Sequence, residues 1–125
     1  MILPRTVVFD LDGTLVDTAP DLIAALNFVL DREGLPPVPL QAARAMIGAG
    51  ARKLIERALE LEGRIASVED ISRLTRDFVD YYAAHIADAS RPFDGLEAAL
   101  DDLAGQGCQF AVCTNKLEWL SKRLL

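Results

Sequence analysis

Two short apolar runs stand near opposite ends of the chain, Thr6-Val7-Val8-Phe9 and Gln109-Phe110-Ala111-Val112-Cys113. In the first, apolar residues fall on both alternating faces, the pattern of a strand buried on both sides in a parallel sheet covered by helices. The second is a run of the same kind, bounded by Gly105-Gln106-Gly107 before it and Thr114-Asn115 after it. Nearly everything between them reads as helices and their connections. The expected class is therefore α/β, with a helical insertion between the first two strands of a parallel sheet.

The helical middle is well punctuated. Thr18 and Asp21 form a capping-box-like start with Pro20 in the first turn, and Leu22, Ile23, Leu26, Val29 and Leu30 give one apolar face. Gly34-Leu35-Pro36-Pro37 stops that helix. A short segment follows around Leu40 to Ile47, and Gly48-Ala49-Gly50 leads into a helix marked by Leu54, Ile55, Ala58 and Leu59, which Gly63 ends. Ser67 and Asp70 open a longer helix, with Val68, Ile71, Leu74, Phe78 and Tyr82 as its buried stripe. Pro92-Phe93-Asp94-Gly95 is a turn, and Leu96, Ala99, Leu100 and Leu103 mark the last full helix before the second strand. Leu117, Leu120 and Leu124 begin one more helix face, which meets Leu125 without Gly, Pro or a cap. Two parallel strands alone make a narrow, marginal sheet. The expectation is a truncated α/β protein whose further strands follow this segment or come from a second copy.

Composition narrows the function classes. The chain is 51% hydrophobic and 26% charged, the balance of an ordinary globule, and charges interrupt every apolar stretch well short of a membrane span. A net charge of −6 argues against a general nucleic-acid binder. The first residues lack the basic stretch and apolar core of a signal peptide, and two cysteines offer no disulfide framework, so a cytoplasmic setting is expected.

The chemistry concentrates in Phe9-Asp10-Leu11-Asp12-Gly13-Thr14-Leu15-Val16-Asp17. Two carboxylates follow directly on a strand, at its carboxyl end, where open α/β sheets place their ligands. On extended backbone a spacing of two sends both side chains the same way, so Asp10 and Asp12 face one site. Gly13 allows a tight turn and Thr14 offers a hydroxyl. Such a pair suits a hard cation such as Mg²⁺, and it suits a division of labour between a nucleophile and a proton carrier. A calcium loop fits poorly. It needs a helix before it and a Glu at its twelfth position, whereas a strand precedes this one and Asp21 stands there.

The run Asp10-Leu11-Asp12-Gly13-Thr14-Leu15-Val16-Asp17 resembles the first motif of the haloacid dehalogenase-like superfamily of phosphohydrolases, and Ala111-Val112-Cys113-Thr114-Asn115-Lys116 resembles the second. The insertion is similar to that family's mobile helical cap. Ala19-Pro20-Asp21, Ile47-Gly48-Ala49-Gly50, Arg57-Ala58-Leu59 and Pro92-Phe93-Asp94-Gly95 look most like phosphoglycolate phosphatases. The resemblance implies a partial Rossmann-like core over residues 1–17 and 92–125 and a cap over residues 18–91. It implies Asp10 as the nucleophile forming an aspartyl-phosphate, and Asp12 as the acid and then the base. Asp10 and the main-chain carbonyl of Asp12 would bind Mg²⁺. Thr114 would hydrogen-bond the phosphoryl group, with backbone groups around Asn115 and Gly13 helping. The substrate implied is a small phosphorylated metabolite, with no nucleic acid or membrane as partner. The family's third-motif Lys and fourth-motif acids lie on later elements than those present, so the implied metal shell is incomplete and weak Mg²⁺ binding is expected.

Other residues carry plainer readings. Lys116 either approaches the phosphate or faces solvent at a helix start. Gly48-Ala49-Gly50, ahead of Arg52 and Lys53, is either a loop that closes over an anion or a simple helix–helix turn. His85, without an evident partner, reads as packing or surface. Cys108 and Cys113 read as small apolar residues, Trp119 as contact for further core or an exposed patch, and Glu97, Asp101 and Asp102 as a solvated face. Three alternatives to the phosphatase stand: an inactive fragment that forms a homo-oligomer through the exposed sheet edge, a phosphomutase-like relative, and a phosphate-accepting signalling domain. The long insertion weighs against the last.

Overall fold

In the computed structural model, which describes residues 5–125, the chain runs β1 (Arg5–Phe9), β2 (Val16–Asp17), α1 (Ala19–Arg32), α2 (Leu40–Arg44), α3 (Ala51–Leu61), α4 (Val68–Ala84), β3 (Arg91–Pro92), α5 (Leu96–Gly105), β4 (Cys108–Val112) and α6 (Glu118–Leu124). β1 and β4 pair in parallel, with Arg5 opposite Cys108 and Phe9 opposite Val112. The α/β class and the helical insertion are as the sequence pattern predicts.

The main core is not at the sheet. It lies among the helices, where Leu22, Leu26, Val29 and Leu30 of α1 meet Leu54, Ile55, Ala58 and Leu59 of α3 and Leu74, Phe78 and Tyr82 of α4. Leu120 of α6 joins the same cluster from the other end of the chain. Each fully buried side chain of this size contributes about 1.5–3 kcal/mol relative to exposure. Truncating Leu26, which is wholly buried, to Ala would cost about 2–5 kcal/mol. A smaller cluster of Leu11, Leu15 and Val16 holds the turn after β1.

Three local expectations are corrected. β1 and β4 are not buried on both sides: Val8 is 60% exposed, and Phe110 and Val112 are exposed as well, because a two-stranded sheet leaves most of both faces uncovered. Val68 is exposed rather than part of the α4 stripe, since it opens the helix beyond the reach of α1 and α3, while Leu74, Phe78 and Tyr82 occupy the stripe as expected. Thr18 does cap α1 by position, but its side chain makes no cap hydrogen bond. Ser67 by contrast accepts from the Asp70 N–H at 3.1 Å, the cap its spacing predicts.

One element has no signal in the sequence. β2 and β3 form a two-residue antiparallel ribbon, Val16 opposite Pro92 and Asp17 opposite Arg91, at the two points where the chain enters and leaves the helical insertion. Asp21 reinforces it. Its carboxylate, 3% exposed, accepts from the N–H groups of Ala89 and Ser90 and from the Ser90 hydroxyl at 2.6–3.0 Å. No helix among the described residues is long and apolar enough to cross a bilayer.

Candidate active site

The parallel register delivers two loops to the same end of the sheet. Phe9 is opposite Val112, and the Cys113 N–H reaches the Phe9 carbonyl at 2.8 Å, so the residues after β1 and after β4 leave side by side. The first loop turns sharply. The Leu11 carbonyl accepts from the N–H groups of Thr14, Leu15 and Val16, and Gly13 takes φ +77°, a conformation that suits glycine. This turn separates the fates of the two carboxylates. Asp10 is exposed, with one oxygen accepting from the Leu11 N–H at 2.8 Å. The Asp12 side chain is turned inward and only 10% exposed.

Asp12 Oδ1 collects two donors, the Thr18 hydroxyl at 2.8 Å and Lys116 Nζ at 2.5 Å. Thr18 makes no capping bond because its backbone is helical (φ −93°, ψ −5°) rather than extended, and its hydroxyl is turned to donate to Asp12. Lys116 does not face solvent. Its side chain is 4% exposed, and its ammonium lies 4.6 Å from the centre of the Tyr82 ring, a cation–π contact. Burial draws the Lys116 pKa below its ordinary value, and the adjacent Asp12 carboxylate works against that.

The second loop contributes Thr114 and Asn115. The Thr114 oxygen accepts from the Lys116 N–H at 3.1 Å, which leaves its hydroxyl proton available to donate. The Asn115 amide group donates to the Gly48 carbonyl at 2.7 Å, so its side chain joins the sheet loops to the insertion rather than facing a phosphate. Gly13 likewise gives its N–H to the Val16 carbonyl at 2.9 Å, inside its own turn. Both residues were expected at the phosphate; here the Asn115 side-chain amide and the Gly13 N–H are engaged within the protein.

The helical insertion closes over this end of the sheet and leaves a cavity of about 310 Å³. Gly48, Ala49 and Gly50 form one wall, Phe78 and Tyr82 another, and Asp12 and Lys116 the floor. Gly50 is held close. Its φ is +92°, and an added Cβ would lie 3.3 Å from the Asn115 carbonyl. Sequence reading left the Gly48–Gly50 stretch and Lys116 open, and it missed Thr18 and Tyr82 as parts of the site. Only the spacing of Thr18 behind the acidic motif hinted at its partner.

Among the described residues, no group of three or more His, Cys, Asp or Glu side chains gathers as a metal cage. The exposed Asp10 carboxylate still suits a hard cation that takes one or two protein oxygens and leaves its other positions to water and substrate.

Residues 7–125 match the model of the haloacid dehalogenase-like hydrolase family. A phosphoglycolate phosphatase of Caulobacter vibrioides is 51% identical over 120 residues, covering 96% of this chain and 51% of that protein. One from Agrobacterium fabrum is 43% identical over 118 residues, covering 94% and 51%. The crystal structure of a predicted phosphoglycolate phosphatase from Haemophilus somnus superposes with a TM-score of 0.77 at 28% identity, over 92% of this chain and 52% of that one. The chain thus spans about half the length of the curated relatives it matches.

Proposed function

The chain belongs to the haloacid dehalogenase-like hydrolase family, and on that footing we propose that it provides the nucleophile and acid–base half of a Mg²⁺-dependent phosphatase for a small phosphomonoester such as 2-phosphoglycolate. The observation that carries this is the division between Asp10, exposed at the strand end, and Asp12, enclosed beside Lys116 and Thr18. The substrate is supported by the names of the relatives.

Asp10 attacks phosphorus and forms an aspartyl-phosphate as the ester P–O bond breaks. Asp12, in its protonated form, gives its proton to the departing alkoxide. As a carboxylate it then takes a proton from the water that attacks the acyl phosphate, which returns Asp10 and releases phosphate. Lys116 and Thr18 hold the Asp12 side chain in place from two sides. Thr114 donates to a phosphoryl oxygen, and Lys116 adds positive charge nearby, the positioning and neutralisation on which phosphoryl transfer depends. Asp10 and the Asp12 main-chain carbonyl would hold Mg²⁺, which supplies further charge neutralisation. Residues 18–91 act as the cap over residues 1–17 and 92–125.

The test is Mg²⁺-dependent phosphate release from 2-phosphoglycolate beside Asp10→Asn, a near-isosteric change that removes the nucleophile. Release that vanishes in the variant is expected. Release of equal size in both proteins, or none in either, overturns the proposal for this chain. A second reading, self-association through the β1–β4 sheet, is favoured by the exposure of Val8, Phe110 and Val112. Sedimentation as a monomer at micromolar concentration would remove it.

A further inference from the structure

Thr75 and Tyr82 stand roughly two helical turns apart on α4, which places them on one face, and both line the cavity beneath the insertion. Their hydroxyls, Thr75 Oγ1 and Tyr82 OH, are buried without a hydrogen-bond partner among the described residues. Buried hydroxyls in folded proteins nearly always have partners, and these two fall in one cavity. Much of the remaining lining is apolar, including Leu22, Leu54, Phe78 and Leu120. Its charged members are Asp12 and Lys116, paired with each other, and Arg52, which also meets Glu56 outside the lining, so cations outnumber anions on the wall by two to one.

We propose that the Thr75 and Tyr82 hydroxyls form a leaving-group subsite, donating hydrogen bonds to a carboxylate carried by the alcohol part of the phosphomonoester. The inference rests on the phosphatase reading above, which sets the phosphate at the strand-end loops. Tyr82 is suited to donate. Burial, reinforced by the negative charges of Asp12 and Asp21, pushes its phenol well above the ordinary value and keeps the proton in place. A carboxylate is the strongest acceptor for two such neutral donors, because the hydrogen bonds are charge-assisted. Thr75 and Tyr82 are thus specificity-determining residues, remote from the bond that breaks.

The test compares 2-phosphoglycolate with ethyl phosphate, which has a similar length and no carboxylate, by calorimetric titration in metal-free buffer where neither is turned over. The wild-type chain is expected to bind 2-phosphoglycolate about tenfold or more tightly than ethyl phosphate. Tyr82→Phe keeps the ring beside Lys116 and Thr75→Val keeps the shape of the side chain. Each should shrink that ratio by about threefold or more while leaving ethyl phosphate binding nearly unchanged. Equal binding of the two ligands by the wild type, or a ratio unmoved in both variants, overturns the subsite alone. If neither ligand binds, the subsite falls, and Mg²⁺-dependent phosphate release beside Asp10→Asn decides the phosphatase reading separately. A merely structural role would weaken both ligands together, and melting curves identify a variant that has lost its fold, leaving the other to decide.

Discussion

Asp12 and Lys116 are 104 positions apart in sequence, and their charged groups meet at 2.5 Å. With the lysine side chain 4% exposed and the aspartate 10%, water reaches little of the pair. The contact joins the loop after β1 to the loop after β4, and through the Tyr82 ring it touches α4 as well. A single ion pair therefore ties both sheet loops to the helical insertion.

Breaking that pair from one side is expected to be costly, since the remaining charge stays desolvated without its partner. Lys116→Met should lower the unfolding free energy by about 2–4 kcal/mol, and Asp12→Asn by a similar amount. The double variant should recover part of the loss, with a coupling of about 1–3 kcal/mol in urea titrations. Strictly additive losses would show that the two charges do not support each other.

Gly50 tests how tightly the insertion sits on the Asn115 loop. Gly48→Ala meets a φ of +115° with open space around the new Cβ, whereas Gly50→Ala adds a 3.3 Å approach to the Asn115 carbonyl on top of its φ of +92°. The first should cost about 1 kcal/mol and the second about 2–3 kcal/mol. Equal losses in thermal melts would mean that the insertion gives way without resistance.

Asp21 should prove structural. Asp21→Ala strips the acceptor from the Ser90 N–H and hydroxyl, both buried, and from the Ala89 N–H. A loss of about 2–4 kcal/mol is expected, with faster amide exchange at Ala89 and Ser90. Protection unchanged at both amides would refute this role.

Acid should weaken the fold partly through Glu33. Its carboxylate accepts from Arg73 at 3.0 Å and from Arg64 at 2.9 Å, and these guanidiniums, Arg73 foremost, hold it below its ordinary value of 4.5 against the opposing effect of burial. A folded-state value below the unfolded one means that the unfolded chain binds more protons in that window. The stabilisation is present above the ordinary carboxylate range and is lost as pH falls through the folded-state value. Glu33→Gln should therefore flatten the fall in Tm between about pH 5 and pH 3. Parallel curves for the two proteins would exclude Glu33 as a source.

Both main strands, the helix boundaries and the acidic motif were legible because each is written in local pattern: alternating apolar faces, glycine stops, an i to i+3 cap at Ser67. Thr18 and Asp21 carry the same local signature as Ser67 and Asp70, yet their side chains went to Asp12 and to Ala89 and Ser90. Ser67 is extended (ψ 163°) and presents its oxygen to the Asp70 N–H, whereas Thr18 is helical (ψ −5°) and does not, a difference that the two identical spacings do not reveal. The burial of Lys116 was unreadable for a related reason. Nothing in residues 114–118 says that α4 will cover them. The β2–β3 ribbon is too short to show any period at all.

The register of β1 against β4 also governs how the molecule assembles in time. Their pairing closes a loop of roughly a hundred residues, an entropic cost that must be met before the strand contacts give anything back. The helices between them form from near neighbours and are the faster events. Once they have packed, β2 and β3 hold the two ends of the insertion together, and the distance the main strands must search is short. Assembly then proceeds from the middle of the chain outward, and a substitution that unpairs Val16 from Pro92 would slow the joining of β1 and β4 without altering either strand.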